Sequence, residues 1–167
     1  MYIEKLERGY KVMIKLLRVD HRLLHGQVGF VWTNALNADA ILIANDSAAT
    51  DQFRKTAIKL AKPSGVKLVI NTVEKAINVI NAGKTDQYNL LIIVENIKDA
   101  HKIALNCDRV TSINLGGSKH TEGSKQLSKA FYLAKDEETY VQDILNKDIE
   151  VEVRQLPNDN KKIIDTI

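Results

Sequence analysis

Short blocks of apolar residues alternate along the chain with longer segments in which apolar residues recur at helical spacing. The apolar blocks predict strands at residues 12–17, 38–44, 66–70, 88–94, 109–115, 130–133 and 149–155. The intervening segments predict helices at residues 29–36, 51–62, 73–81, 97–105 and 136–146. Strands and helices therefore follow one another over most of the sequence.

This alternation predicts an α/β fold with one open, mostly parallel central β-sheet of about seven strands and helices on both faces. The blocks at 38–44 and 88–94 are apolar almost throughout, which indicates strands that are buried on both faces. A length of 167 residues suits a single domain with a full hydrophobic core. No linker or internal repeat divides the chain.

A polar loop after the first predicted strand carries the most reactive side chains. Asp20, Arg22 and His25 lie close together in the sequence, and Gly26 and Gln27 follow where a helix is expected to begin. Open α/β sheets build their sites at the carboxyl ends of strands. Asp20 could accept a proton from one ring nitrogen of His25, which would leave the other nitrogen as a nucleophile.

The same loop suits a histidine that carries a phosphoryl group. Gly26 lets the backbone pass close to a bound group, and the first free N–H groups of a helix that starts near Gln27 would stabilise an anion. The planar guanidinium of Arg22 matches phosphate oxygens. The residue types alone leave an alternative open, in which a loop histidine and a surface arginine share no role.

Composition and charge argue against a nucleic-acid-binding, membrane-spanning or secreted protein. The formal net charge is +3, aromatic residues make up 5% of the chain, and no block of Lys and Arg is present, which argues against nucleic-acid binding. No apolar run approaches the ~20 residues of a membrane-spanning helix, and no secretory leader is evident, so we expect a cytoplasmic protein. Cys107 is the single cysteine, and we predict that it is buried and unreactive.

Two polar segments that follow strands have more than one interpretation. Asn45, Asp46 and Ser47 follow the second predicted strand and could contact phosphate, but a helix cap or an Asx turn is the simpler explanation. Gly116 and Gly117 follow the fifth predicted strand. They could turn backbone N–H groups towards a phosphate or form a tight turn.

The other histidines and the tryptophan are not assigned to the site. His21 lies four residues before His25, but no further ligands complete a metal site, so we expect His21 to be exposed and dispensable. His101 and His120 are expected at the surface without partners. Trp32 has the helical spacing of a core or interface residue.

Residues 20–28, which read DHRLLHGQV, resemble the D-x-R-L-I-H-G-Q-V signature of the enzyme IIB components of mannose-, fructose- and sorbose-type sugar phosphotransferase systems. Leu24 stands where that family usually has Ile, and Ser118 stands where Met is common. Further similarities continue in order towards the C-terminus at Trp32, Asn45-Asp46, Pro63, Gly65-Val66, Asn114-Leu115-Gly116-Gly117, Val151-Glu152-Val153-Arg154 and Leu156-Pro157.

The resemblance implies that His25 is the phosphorylated residue of a phosphocarrier, a protein-phosphohistidine–sugar phosphotransferase. Its phosphoryl donor would be a separate enzyme IIA, and its acceptor would be a sugar held by a membrane IIC/IID permease. Arg22 and the amides at Gly26 and Gln27 would stabilise the transferred group, and Asp20 would orient the ring, without a metal or other cofactor. The family domain is expected over residues 13–167, with residues 1–12 as an N-terminal extension.

Two alternative functions are compatible with the predicted fold. One is a regulatory or binding module of the same fold without transfer activity, which would not need the intact set of Asp20, Arg22, His25 and Gly26. The other is a nucleotide-binding, flavodoxin-like protein. That class is disfavoured because no glycine-rich or Ser/Thr-rich phosphate loop follows the first strand.

Overall fold

A seven-stranded β-sheet forms the centre of the structure, a computed structural model that describes residues 14–167. The strands of the domain are β1 Ile14–Asp20, β2 Ala40–Ala44, β3 Lys67–Asn71, β4 Leu90–Val94, β5 Ser112–Gly117, β6 Lys125–Gln126, β7 Tyr132–Leu133, β8 Glu150–Val153 and β9 Lys162–Ile163. The central sheet has the order β3-β2-β4-β1-β5-β8-β9, and only the β8–β9 pair is antiparallel. The predicted α/β fold with a mostly parallel sheet is therefore confirmed. The predicted extension at 1–12 lies outside the described residues.

Helices cover both faces of this sheet. They are α1 Gly26–Leu36, α2 Asp46–Thr50, α3 Gln52–Leu60, α4 Val73–Asn81, α5 Ile97–Asn106 and α6 Glu138–Asn146, the last preceded by a 3₁₀ turn at Lys135–Glu137. The buried apolar side chains form two clusters. One includes Trp32 of α1 and Ile58 of α3, and the other includes residues of α4, α5 and α6. Each face of the sheet thus has its own core.

Strands β2 and β4 supply side chains to both cores because successive residues of a strand point to opposite faces. Ala40 and Leu42 belong to the core under α4 to α6, and Ile41 and Ile43 belong to the core under α1 and α3. All residues of β2 and β4 are buried. This confirms the prediction made from their continuous apolar sequences.

At the carboxyl end of β1, the connections that follow β1 and its neighbour β4 run to opposite faces of the sheet. β1 is paired with β4 on one side and β5 on the other, both in parallel. The chain leaves β1 through α1 on one face of the sheet and leaves β4 through α5 on the other. Such switch points open a crevice beyond the strand ends, where ligands bind in open α/β sheets.

The strand content of the C-terminal third differs in detail from the sequence prediction. The block predicted at 130–133 contains β7, but β7 pairs with β6 in a separate two-stranded ribbon. The seventh strand of the central sheet is instead β9, whose two residues pair with Glu152 and Val153. A two-residue strand has no periodicity of its own, so only its long-range pairing identifies it.

The segment predicted as one helix at 51–62 is preceded by the short helix α2, which the apolar pattern did not indicate. Asn45 caps α2 through its side-chain oxygen, which accepts a hydrogen bond of 2.8 Å from the N–H of Ala48. This confirms the simpler interpretation of the Asn45 segment. Asp51 ends α2 and caps α3, and Thr72 caps α4 as predicted.

Cys107 is expected to react slowly in the folded protein. It has no accessible surface, and burial raises the pKa of its thiol to about 11. Because the thiolate is the reactive species, thiol–disulfide exchange at pH 8 should be slower by more than about a hundredfold than in the unfolded chain. Ellman's reagent, applied with and without denaturant, measures this ratio. Equal rates in the two conditions would contradict the prediction.

Candidate functional site

The loop between β1 and α1 is fixed by its own backbone and by two buried leucines. The N–H of Leu23 donates to the carbonyl of Asp20 at 2.9 Å, and the N–H of Arg22 donates to Oδ1 of Asp20 at 3.0 Å. Leu23 has a φ of 56°, in the left-handed region that most side chains avoid. Leu23 and Leu24 are both buried in the core under α1. Their burial holds a conformation that the isolated loop would rarely adopt.

Asp20 and His25 form a direct hydrogen bond. The distance between Nε2 of His25 and Oδ2 of Asp20 is 3.0 Å, and the Asp20 side chain is almost fully buried while 18% of the His25 side chain is exposed. An ionised carboxylate only accepts hydrogen bonds, so Nε2 of His25 must carry the proton. In the neutral imidazole the lone pair is then on Nδ1. The structure thus leaves Nδ1 as the ring nitrogen with a free lone pair, a choice that the sequence left open.

His25 is also the N-cap residue of α1, and its side chain does not cap the helix. The imidazole bonds to Asp20 and makes no hydrogen bond to the first turn, which contains no acidic residue. Gly26 and Gln27 form the start of the helix and are exposed. The free N–H groups and the helix dipole favour an anion at this position. A phosphoryl group on His25 would therefore lie at an electropositive helix end.

Arg22 has an exposed side chain beside this helix end. Its backbone N–H is bound to Asp20, which fixes where its side chain begins. Among the described residues the guanidinium makes no hydrogen bond that would hold it away from an incoming phosphate.

A buried arginine, Arg18, lies behind Asp20 and was not identified from the sequence. Nη2 of Arg18 donates to Oδ2 of Asp20 at 3.0 Å, and Nη1 donates to Oδ1 of Asn114 at 2.7 Å. Arg18 is only 1% exposed. The available signal was a charged residue between the apolar positions Leu17 and Val19, but the predicted strand ended at residue 17 and excluded it.

Two expectations about the other histidines are wrong. His21 is half-buried rather than exposed, and its Nδ1 lies 4.0 Å from Oδ1 of Asp20 without a hydrogen-bond partner among the described residues. His101 has a partner, because its Nε2 lies 2.9 Å from Oδ2 of Asp143 between α5 and α6. His120 is exposed, as expected.

Gly116 and Gly117 belong to the end of β5 rather than to a tight turn. A side chain at Gly116 would overlap the guanidinium of Arg18, and the carbonyl of Gly117 accepts from the N–H of His21 at 3.0 Å. Gly116 therefore makes room for Arg18, and Gly117 holds the backbone of His21 through its carbonyl. Trp32 is buried in the core under α1, as predicted, and its Nε1 donates to the carbonyl of Gln155 at 3.0 Å.

Comparisons with known proteins agree with the family resemblance that the sequence of residues 20–28 indicated. The family model described as the sorbose-subfamily IIB component of the PTS system matches residues 14–167. The sorbose-specific EIIB component of Lacticaseibacillus casei is 32% identical over 148 residues, which are 89% of this chain and 90% of that protein. The mannose-specific EIIAB component of Escherichia coli strain K12 is 31% identical over 157 residues, which are 93% of this chain and 49% of that longer protein.

Solved structures give the same result. The crystal structure of the N-acetylgalactosamine-specific IIB component 1 from Escherichia coli superposes with a TM-score of 0.84 at 28% identity, covering 90% of this chain and 99% of that chain. Within the described range, no helix has the length and apolar character needed to cross a membrane.

The fold and the site define a IIB component of a sugar phosphotransferase system. The chain belongs to the mannose/sorbose-type IIB family.

Proposed function

We propose that this IIB component is a phosphocarrier that receives a phosphoryl group on Nδ1 of His25 and passes it to a sugar. The donor would be a phosphohistidine on an enzyme IIA domain, and the sugar would be held by a membrane IIC/IID permease while the carrier stays in the cytoplasm. One observation carries the proposal. Asp20 holds Nε2 of His25, which leaves the Nδ1 lone pair free at an uncapped helix end.

The transfer needs no proton movement on His25. The Nδ1 lone pair forms a new N–P bond while the N–P bond of the donor breaks and its electron pair returns to the donor imidazole. The Nε2 proton stays in its hydrogen bond to Asp20 throughout, so the carboxylate offsets the positive charge that develops on the ring. In the second step a sugar hydroxyl oxygen attacks phosphorus, the bond to Nδ1 breaks, and the hydroxyl proton leaves to a base.

Phosphoryl transfer of this kind proceeds through a loose transition state with charge spread over the equatorial oxygens, so positioning and electrostatics supply most of the catalysis. The N–H groups at Gly26 and Gln27 lie at the positive end of α1 and have no acceptor outside the helix among residues 14–167. The exposed Arg22 adds a planar cation close to the same point. We assign transition-state stabilisation to these three residues and ring orientation to Asp20. The catalytic unit would be the domain at 13–167.

Labelled phosphoenolpyruvate tests the proposal directly. The purified protein is mixed with the general phosphotransferase components and a IIA that is known to pass phosphate to a control IIB of this family. The labelled residue is then mapped by mass spectrometry at alkaline pH. Label on His25 that is lost in acid is the expected result. Absence of label, while the control IIB is labelled, would contradict the proposal and favour a regulatory or binding module of the same fold.

Arg22→Lys is expected to slow transfer about tenfold, because a point charge replaces the two-pronged guanidinium that matches phosphate oxygens. Single-turnover transfer from phospho-IIA measures the rate. Arg54→Lys is the matched control, since Arg54 pairs with Glu95 outside the His25 loop. A rate unchanged by Arg22→Lys would remove Arg22 from the mechanism.

A further inference from the structure

Arg18 places a permanent positive charge inside the domain, in the central strand β1. The residue is 1% exposed, so its guanidinium has lost nearly all contact with water. This desolvation lowers the pKa of Arg18 even though Asp20 lies beside it. A buried cation is costly unless its donors are matched by acceptors. The hydrogen-bond acceptors around this guanidinium therefore indicate the role of the buried charge.

The guanidinium is fixed on several sides. Nη1 donates to Oδ1 of Asn114 at 2.7 Å and points to the carbonyl of Arg154 at 3.4 Å. Asn114 is itself fixed, because its Nδ2 donates to the same carbonyl at 3.0 Å. Cζ of Arg18 lies over the ring of Trp32, 5.1 Å from the ring centroid. Arg18 thus has one available orientation.

Gly116 supplies the space for that orientation. A Cβ atom at this position of β5 would overlap the guanidinium of Arg18. Any other residue would push the guanidinium out of its position. A substitution at Gly116 can therefore displace the guanidinium of Arg18 from its partners without removing its charge.

The other terminal nitrogen of Arg18 points to the site, while Nε has no hydrogen-bond partner among the described residues. Nη2 bonds to Oδ2 of Asp20 at 3.0 Å, and this is the same oxygen that accepts Nε2 of His25 at 3.0 Å. Arg18 therefore fixes the position of the oxygen to which His25 donates. We propose that Arg18 is a positioning residue for phosphoryl transfer, which holds the Asp20 carboxylate so that His25 keeps its proton on Nε2 and its lone pair on Nδ1.

The role of Arg18 in transfer rests on the proposed function of His25, but its effect on the ring can be measured without any transfer. Nitrogen-15 shifts and two-bond couplings of labelled histidine distinguish the two neutral tautomers. His25→Ala assigns the signals. In the wild-type protein at pH 8 we expect His25 to be the Nε2–H tautomer, and the Nδ1–H tautomer there would overturn the proposal.

Two variants perturb the guanidinium in different ways. Arg18→Gln removes it, and Gly116→Ala displaces it while keeping the charge. In both we expect a mixture of His25 tautomers and a fall of about a hundredfold in single-turnover transfer, since misplacing a catalytic group by about 1 Å costs that much. If Arg18→Gln does not fold, as judged by circular dichroism, Gly116→Ala decides the question. A wild-type His25 spectrum in a folded variant would overturn the proposal.

Arg154→Gln is the control for a general loss of stability. The side chain of Arg154 pairs with the buried Glu152 at 2.9 Å and lies 5.1 Å from the Trp32 centroid, but it does not contact Asp20. We expect this variant to be destabilised with an unchanged His25 spectrum. A tautomer mixture in Arg154→Gln as well would show that any disturbance of the buried polar cluster suffices, and would overturn a specific role for Arg18.

The transfer assay separates the two proposals. If wild-type protein takes no label on His25 but the tautomer depends on Arg18, the function proposed for His25 fails while Arg18 still orients the ring. If His25 is labelled and the tautomer is the same in all folded variants, the carrier function stands and Arg18 is only structural.

Discussion

His25→Ala is expected to abolish phosphorylation of the protein by phospho-IIA. The change removes the imidazole of the N-cap residue of α1, whose Nδ1 is the proposed acceptor of the phosphoryl group. Because the imidazole is partly exposed at the end of a loop, its loss should leave the fold intact. Acid-labile label per mole of protein is the measurement, with circular dichroism to check folding.

His21→Gln is the matched control for that result. His21 belongs to the same loop and lies 4.0 Å from the same carboxylate, so it is the alternative imidazole. We expect this variant to be labelled like the wild type. Full label in His25→Ala, together with its loss in His21→Gln, would show that the nucleophile is His21 instead.

Asp20→Asn is expected to reduce the rate of transfer on the order of a thousandfold, although the two side chains have nearly the same shape. The amide of asparagine has one acceptor and one donor end. Oδ2 of Asp20 accepts from both Arg18 and His25, and Oδ1 accepts from the N–H of Arg22, so an amide with one oxygen cannot satisfy all three donors. In the orientation that keeps the bond to Arg22, the NH₂ group faces Nε2 of His25, which must then offer a lone pair. The proton moves to Nδ1 and blocks the nucleophile, as occurs when a histidine is held in the wrong tautomer in other enzymes.

The same substitution should also lower the free energy of unfolding by about 3 kcal/mol, because it leaves the buried Arg18 without a counter-charge. Urea denaturation measures this loss, and single-turnover transfer measures the rate. Asp143→Asn is the matched control, since Asp143 bonds to Nε2 of His101 at 2.9 Å between α5 and α6, outside the site. A rate for Asp20→Asn within a few-fold of the wild type would contradict the orienting role of Asp20.

Much of the fold was predictable because its signals are local. The apolar blocks of β2 and β4 indicated strands buried on both faces, and Thr72 indicated the start of α4. The short strand β9 was missed because it is identified only by its pairing with β8, and two residues show no periodic apolar pattern.

In the candidate site, too, the local contacts were predictable and the long-range contacts were not. Asp20 and His25 are five residues apart, so their hydrogen bond could be anticipated from the loop sequence.

By itself the sequence determined the α/β class, and it gave the loop after β1 as the candidate site and the pairing of Asp20 with His25 as hypotheses. The tertiary structure decided which ring nitrogen is bound and what lies behind the carboxylate. Arg18 contacts Asn114 across 96 positions of the chain, and Gly116 leaves the space it occupies. Such contacts depend on which strands become neighbours in the sheet. Strand order is set by packing of the whole chain, and no local pattern at residue 18 encodes it.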